Sequence, residues 1–207
     1  MNAVASLSGV TVRMGTTVTL APIDVDVQPG EVLVIHGPSG VGKSTLLGVL
    51  AGWLEPGGGS CRWGPALAGP DRGRWSTTAF VPQSLALLAE LSLVENVGLA
   101  PRLAGRSGFE AHDLAMARLD ALDIAALADR RPDEVSQGQQ QRAAVARALV
   151  LGPALVLADE PSAHLDAGST ALVAAELRRA AAEGSAVVVA THDPELLAAA
   201  DRTLALS

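Results

Sequence analysis

GPSGVGKST, Gly37 to Thr45, constrains this chain more than any other stretch. It matches G-x-x-x-x-G-K-[ST] in full and stands between a short apolar run, Glu31 to Ile35 (EVLVI), and an apolar helical run, Ser44 to Leu54. The glycines let the backbone curl so that successive N–H groups point inward at phosphate oxygens. The helix that follows adds its positive N-terminal end. The cradle would be lined by Gly37, Pro38, Ser39, Gly40, Val41, Gly42, Lys43, Ser44 and Thr45. Lys43 can reach the β- and γ-phosphates, and the Ser44 hydroxyl can ligate Mg²⁺. The bland alternative is a glycine turn with Lys43 merely solvated. The strand-loop-helix context favours the phosphate reading, so the segment predicts a nucleoside triphosphate site.

The rest of the composition fits one α/β domain, or a core with a small insert, since the chain has 207 residues. Hydrophobic residues make up 49% and aromatics only 2%, with no Tyr, so the expected core is aliphatic and filled by Ala. With 15 Lys and Arg against 22 Asp and Glu, the net charge of −7 argues against a nucleic-acid binder, which needs clustered cations. A single cysteine, Cys61, cannot form an intrachain disulfide, which fits a reducing cytosol. The longest apolar run, Ala148 to Ala158, is broken by Gly152-Pro153 and is far short of the roughly 20 residues a membrane span needs. The start, MNAVASLSGV, lacks the basic opening and long apolar stretch of a signal peptide. These features predict a soluble, cytoplasmic protein.

Periodicity divides the chain. Val18 to Val27 alternates around Ile23, Val25 and Val27 and reads as a half-exposed strand, followed by a Pro29-Gly30 turn. EVLVI, Leu155 to Ala158 and Ala186 to Ala190 read as buried parallel strands, and Phe80-Val81 as a strand remnant. Gly57-Gly58-Gly59 reads as a chain break. Helices are expected over Ser44 to Leu54, Glu110 to Leu127, Gln139 to Val150 and Ser169 to Glu183, and Asp193-Pro194 caps a last short one. Strand and helix alternate at both ends, which implies a parallel sheet. The middle, roughly Leu87 to Leu151, reads as a mostly helical insert.

Three strand ends carry chemistry. ALVLADEPSAHLD, Ala154 to Asp166, puts Asp159 and Glu160 at the carboxyl edge of a sheet, where ligands bind. Asp159 can hold a Mg²⁺ shell, and Glu160 can orient or polarise an attacking water. VVVATHD places His192 just past another buried strand, in reach of a γ-phosphate, and AFVPQS places Gln83 after a third. Each of these taken alone has a structural explanation. VSQGQQQR, Val135 to Arg142, fits two readings by itself: a plain capped helix start, or neutral donors facing an anion.

Together these pieces resemble the ATP-binding cassette (ABC) ATPases over nearly the whole chain and in the family's order. The resemblance implies an α/β fold: a P-loop NTPase core with a mixed, mainly parallel sheet, an antiparallel β subdomain and a helical insert. It implies one nucleotide-binding domain over residues 1–207, with the helical subdomain at roughly 87–151. It also implies ATP and Mg²⁺ as cofactors, with Ser44, Gln83 and Asp159 at the metal, Glu160 as the catalytic carboxylate and His192 as the switch histidine. VSQGQQQR is similar to the family signature L-S-G-G-Q, so Ser136, Gly138 and Gln139 would face the γ-phosphate of ATP held by a second chain. The implied partners are a second copy or related ATPase subunit and an integral membrane permease. The implied location is the inner face of the cell membrane, reached through that permease.

Leu87 to Gly105 resembles the lipoprotein-release and macrolide-efflux branch, although a generic helical insert with similar Leu spacing would read alike. Two positions depart from the family. Gln137 stands where Gly is usual, at a cost of about 1 kcal/mol if the position needs φ > 0. VRMGTT lacks the aromatic that stacks on adenine, so Met14 or Arg13 stands in its place. An ATP-driven regulatory module that moves a non-transporting membrane partner is compatible with the same residues. A soluble kinase leaves the signature and His192 unexplained.

Overall fold

The computed structural model describes residues 3–15, 17–68 and 76–207, with Met14 described by its backbone alone. Two sheets organise it. Strands β1 (Ala5–Met14), β2 (Thr17–Val27) and β4 (Gly58–Trp63) form an antiparallel sheet in the order β2-β1-β4. Strands β3 (Val32–His36), β5 (Thr78–Val81), β6 (Leu155–Asp159), β7 (Ala186–Ala190) and β8 (Arg202–Ala205) form a parallel sheet in the order β5-β6-β7-β3-β8. The α/β fold expected from the sequence is therefore present. The mixing of strand directions is divided between two sheets, and every described pairing in the core sheet is parallel.

The three apolar runs became the inner strands. β6 and β7 are buried along their whole length, as strands covered on both faces must be. Alternate residues serve different cores. Leu33, Ile35, Leu155, Leu157 and Val188 pack toward α1 (Lys43–Leu50) and the antiparallel sheet. Val34, Val156, Ala158, Val187 and Val189 pack toward α4 (Gln137–Leu149) and α5 (Ala167–Ala182). The α4 contribution is mostly small, with Ala143, Ala144, Ala146 and Ala148 all buried, so this helix lies close against its neighbours. Helices α2 (Leu93–Leu103) and α3 (Gly108–Ala121) lie between β5 and β6 in the chain and join the same apolar cluster through Leu93, Val97, Ala115 and Leu119. A short α6 (Pro194–Ala198), capped by Asp193, precedes β8.

Several local readings need correction. The glycine run is no break: Gly58 opens β4, and a Cβ on Gly59, at φ +80, would sit 2.4 Å from the Gly9 carbonyl oxygen. Gly is required there by close approach of two strands. β1 leaves no strand period in the sequence because register shifts interrupt its alternation. β8 leaves none because its residues are largely exposed. The first helix ends at Leu50, followed by Gly52 at φ +73. The helix expected over Glu110 to Leu127 ends at Ala121, where Asp123 turns at φ +54 and a 3-10 turn follows.

Candidate active site

All five strands of the core sheet point the same way, so their carboxyl ends meet along one edge. Register alignment puts Ile35 and Asp159 beside Ala190, and Val81 beside Ala158. The loop Gly37–Gly42, the Asp159–Glu160 pair, Thr191–His192 and the turn bearing Gln83 therefore leave neighbouring strand ends.

The glycine loop is shaped by contact as well as by freedom. A Cβ on Gly37 would lie 2.4 Å from the Leu206 carbonyl oxygen, and one on Gly42, at φ +107, 2.4 Å from that of Thr19. Gly42 caps α1 without any side-chain bond, so the first N–H groups of that helix are left for an anion. The Lys43 ammonium donates to the carbonyls of Gly37 (2.8 Å) and Pro38 (3.1 Å), which fixes it over the loop.

Asp159 ends β6 and is 8% exposed. Burial pushes its carboxyl above the usual value. A hydrogen bond from Ser44 pulls the other way, the neighbouring Glu160 adds to the rise, and Lys43 opposes it. A buried carboxylate paired with a hydroxyl is a set of hard oxygen donors that suits a cation shared with phosphate oxygens. Among the described residues no group of three or more His, Cys, Asp or Glu could hold a metal alone.

Glu160 adopts φ +48, a left-handed conformation for a residue with a side chain. Its N–H donates to the Ala190 carbonyl at 2.8 Å. Its two carboxylate oxygens are held separately: Oε2 accepts from the Thr191 hydroxyl at 2.9 Å, and Oε1 stands 3.0 Å from His192 Nδ1. The His192 side chain is 84% exposed, against 18% for Glu160. Gln83 lies exposed in the turn two residues past Val81.

Ser136, Gly138 and Gln139 lie elsewhere. Ser136 caps α4 in a capping box: its Oγ accepts from Gln139 N at 3.3 Å, and Gln139 Oε1 accepts from Ser136 N at 2.8 Å. The hydroxyl hydrogen of Ser136 stays available to an outside acceptor. Gln137 is the first helical residue and has no positive φ, so the departure from Gly carries no backbone strain. A Cβ on Gly138 would lie 2.9 Å from the His164 carbonyl oxygen, so this glycine is where α4 and the loop Ser162–Asp166 touch. These residues line a recess with Arg142, Leu165 and Ser169, and none of Gly37–Thr45 borders it.

Some functional geometry had no signal in the sequence. The segment after Gln83 is held by Asn96, fully buried, which accepts from Leu88 N (2.8 Å) and donates to the carbonyls of Leu88, Leu91 and Ser92. Arg147 of α4 donates to the carbonyls of Leu85 and Ala86, which both take positive φ. Thr191 likewise carries no signal, since a Thr at a strand end does not announce where its hydroxyl points. The Met14 side chain lies outside the described residues, and the Met14 backbone pairs with Thr17 at the end of β1.

A family model described as ABC transporter matches residues 20–163. The chain belongs to the ABC transporter family. Relatives of this ABC ATPase domain include an uncharacterized ABC transporter ATP-binding protein of Mycobacterium tuberculosis, 42% identical over 197 residues, covering 89% of this chain and 59% of that protein. The chain thus spans about three fifths of the length of that relative. The lipoprotein-releasing system ATP-binding protein LolD 2 of Caulobacter vibrioides is 42% identical over 204 residues, covering 93% and 87%. Among solved structures, the dimeric post-hydrolysis state of the ATP-binding cassette MJ0796 bound to ADP and Pi superposes with a TM-score of 0.87 at 31% identity, covering 98% of this chain and 94% of that one.

Proposed function

We propose that this chain is the ATP-binding and ATP-hydrolysing unit of an ABC transporter, and that it powers a membrane permease by closing with a second copy over two ATP·Mg²⁺. The observation that carries the reading is the separation within one chain of two half-sites: a complete phosphate loop at the sheet edge, and a signature recess at Ser136 that this loop does not border. A second chain, placed head to tail, supplies the missing half. The solved cassette of similar fold is a dimer bound to ADP and Pi, which supports the same arrangement here.

Each residue then has a task. Gly37–Thr45 hold the triphosphate, with Lys43 released from its loop carbonyls onto the phosphates. Ser44, Asp159 and Gln83 would hold Mg²⁺, which would supply neutralisation of the phosphate charge when bound. Glu160 orients the attacking water, and His192 meets the γ-phosphate. Ser136, Gly138 and Gln139 reach the γ-phosphate on the partner, where neutral donors bind and then release. Residues 1–207 act as one nucleotide-binding unit, with the segment from about 87 to 151 inserted in the ATPase core.

Among the described residues no helix is long and apolar enough to cross a membrane. On this reading the permease holds the chain at the inner membrane face. An apolar groove suits one of its helices. Trp53, 64% exposed, packs on Phe80 with ring centroids 4.7 Å apart. Ala51, Pro82, Ala86 and Arg147 also line it. The groove abuts the turn of Gln83, so a helix seated in it would sense the nucleotide edge directly.

Glu160→Gln tests the reading. It should bind ATP, hydrolyse it barely, and elute as a dimer on gel filtration with ATP and Mg²⁺. A variant that stays monomeric at high concentration, or turns over at the parental rate, contradicts it.

A further inference from the structure

We infer that Thr191 is a positioning residue that fixes the Glu160 carboxylate and leaves its Oε1 as the oxygen presented to the attacking water. The inference rests on the reading of Glu160 given above. Thr191 follows β7 directly, is fully buried, and has its own N–H tied to the Ile35 carbonyl at 3.0 Å. Its Oγ1 lies 3.1 Å from Asp193 N and 2.9 Å from Glu160 Oε2. A backbone N–H can only donate and a carboxylate oxygen only accepts. The hydroxyl therefore accepts from Asp193 and gives its one hydrogen to Glu160, and its direction is set from both sides.

That direction decides which carboxylate oxygen is held from the buried side and which faces the exposed side of the site. The terminal torsion of a glutamate is broad and roughly two-fold, so a backbone alone does not orient it. The Glu160 backbone is fixed at φ +48 through the Ala190 carbonyl. Thr191 then holds Oε2 from the buried side. Oε1 is left on the side where the exposed His192 ring approaches to 3.0 Å. A side chain in solvent is a poor clamp, because it is free to sample other rotamers. The buried hydroxyl is the better candidate for holding the carboxylate in a near-attack orientation.

The test is steady-state hydrolysis and equilibrium ATP binding on Thr191→Val, Thr191→Ser and Glu160→Gln beside the parent. Val keeps the shape of Thr and removes the donor. Thr191→Val should keep the parental ATP affinity and KM while kcat falls about ten- to a hundredfold, the worth of one hydrogen bond to a charged group. Thr191→Ser, which keeps the hydroxyl, should recover most of that rate. Should the Val chain prove insoluble, Thr191→Ala is read on the same scale. Parental turnover by Thr191→Val beside an inactive Glu160→Gln overturns the role of Thr191 and leaves Glu160 standing. Loss of ATP affinity in step with turnover also overturns it, since the residue would then be structural. Parental turnover by Glu160→Gln overturns the reading of Glu160 itself, and this inference with it.

Discussion

Asp159 sits nearly buried at the end of β6, beside another acid, and burial is the main cause of its raised pKa. A carboxyl with a raised value in the folded chain binds its proton more tightly there than when unfolded. Its contribution to stability therefore falls as pH rises through that value. The charge is retained against the interest of the fold, which is the pattern of a site that awaits a cation. Asp159→Asn removes the buried charge and its repulsion from Glu160. It should raise the stability of the nucleotide-free protein by on the order of 1 kcal/mol while abolishing Mg²⁺-dependent hydrolysis. Thermal melts of parent and variant without nucleotide check this, and a clearly lower melting temperature for the variant would contradict it. Glu160 shows the same tension, since its left-handed backbone costs about 1–3 kcal/mol.

Helix α4 couples two loops that are distant in sequence. Its first turn packs on the His164 carbonyl through Gly138, and two turns later Arg147 holds Leu85 and Ala86 beside the turn of Gln83. The neighbouring helices are started by exposed capping boxes, Ser92 with Glu95 on α2 and Ser107 with Glu110 on α3. Backbone N–H bonds at the Ser positions hold both Glu carboxyls below the usual carboxylate range. The caps stabilise the folded chain fully above the unfolded carboxyl value, and that stabilisation is lost as pH falls through the lowered one. Helix signal in far-ultraviolet circular dichroism should drop as pH falls below about 4. Ser92→Ala or Ser107→Ala should each cost about 1 kcal/mol at neutral pH. A helix signal independent of pH down to the acid limit would contradict this. The S-x-x-E pattern of both caps is legible in the sequence, whereas Pro101 inside α2 blurs the period of that helix.

Across the molecule, the parallel sheet and its edge were legible because the constraint was local. EVLVI, LVLA and AVVVA are apolar runs that only covered strands accommodate, and acids or histidine at their ends declare the edge. β1, β4 and β8 were not legible. Their pairing depends on bulges and exposed residues, and leaves no period in the sequence. The same contrast holds in the site. Phosphate-loop residues are adjacent in sequence and announce themselves. The Thr191 clamp and the Asn96 and Arg147 supports depend on where a side chain points after folding.

If each ATP is held between the phosphate loop of one chain and the Ser136 recess of another, two differently defective chains should complement each other on mixing. Ser136→Arg should bind ATP as a monomer yet neither close nor hydrolyse. Lys43→Ala should lose its own phosphate grip but keep its signature. In a heterodimer, the intact loop of the Ser136→Arg chain faces the intact recess of the Lys43→Ala chain, which restores one complete site. Hydrolysis by the mixture well above that of either variant alone is the predicted result. Loss of ATP binding by isolated Ser136→Arg monomers, with no gain on mixing, would place Ser136 in its own chain's pocket and contradict the account.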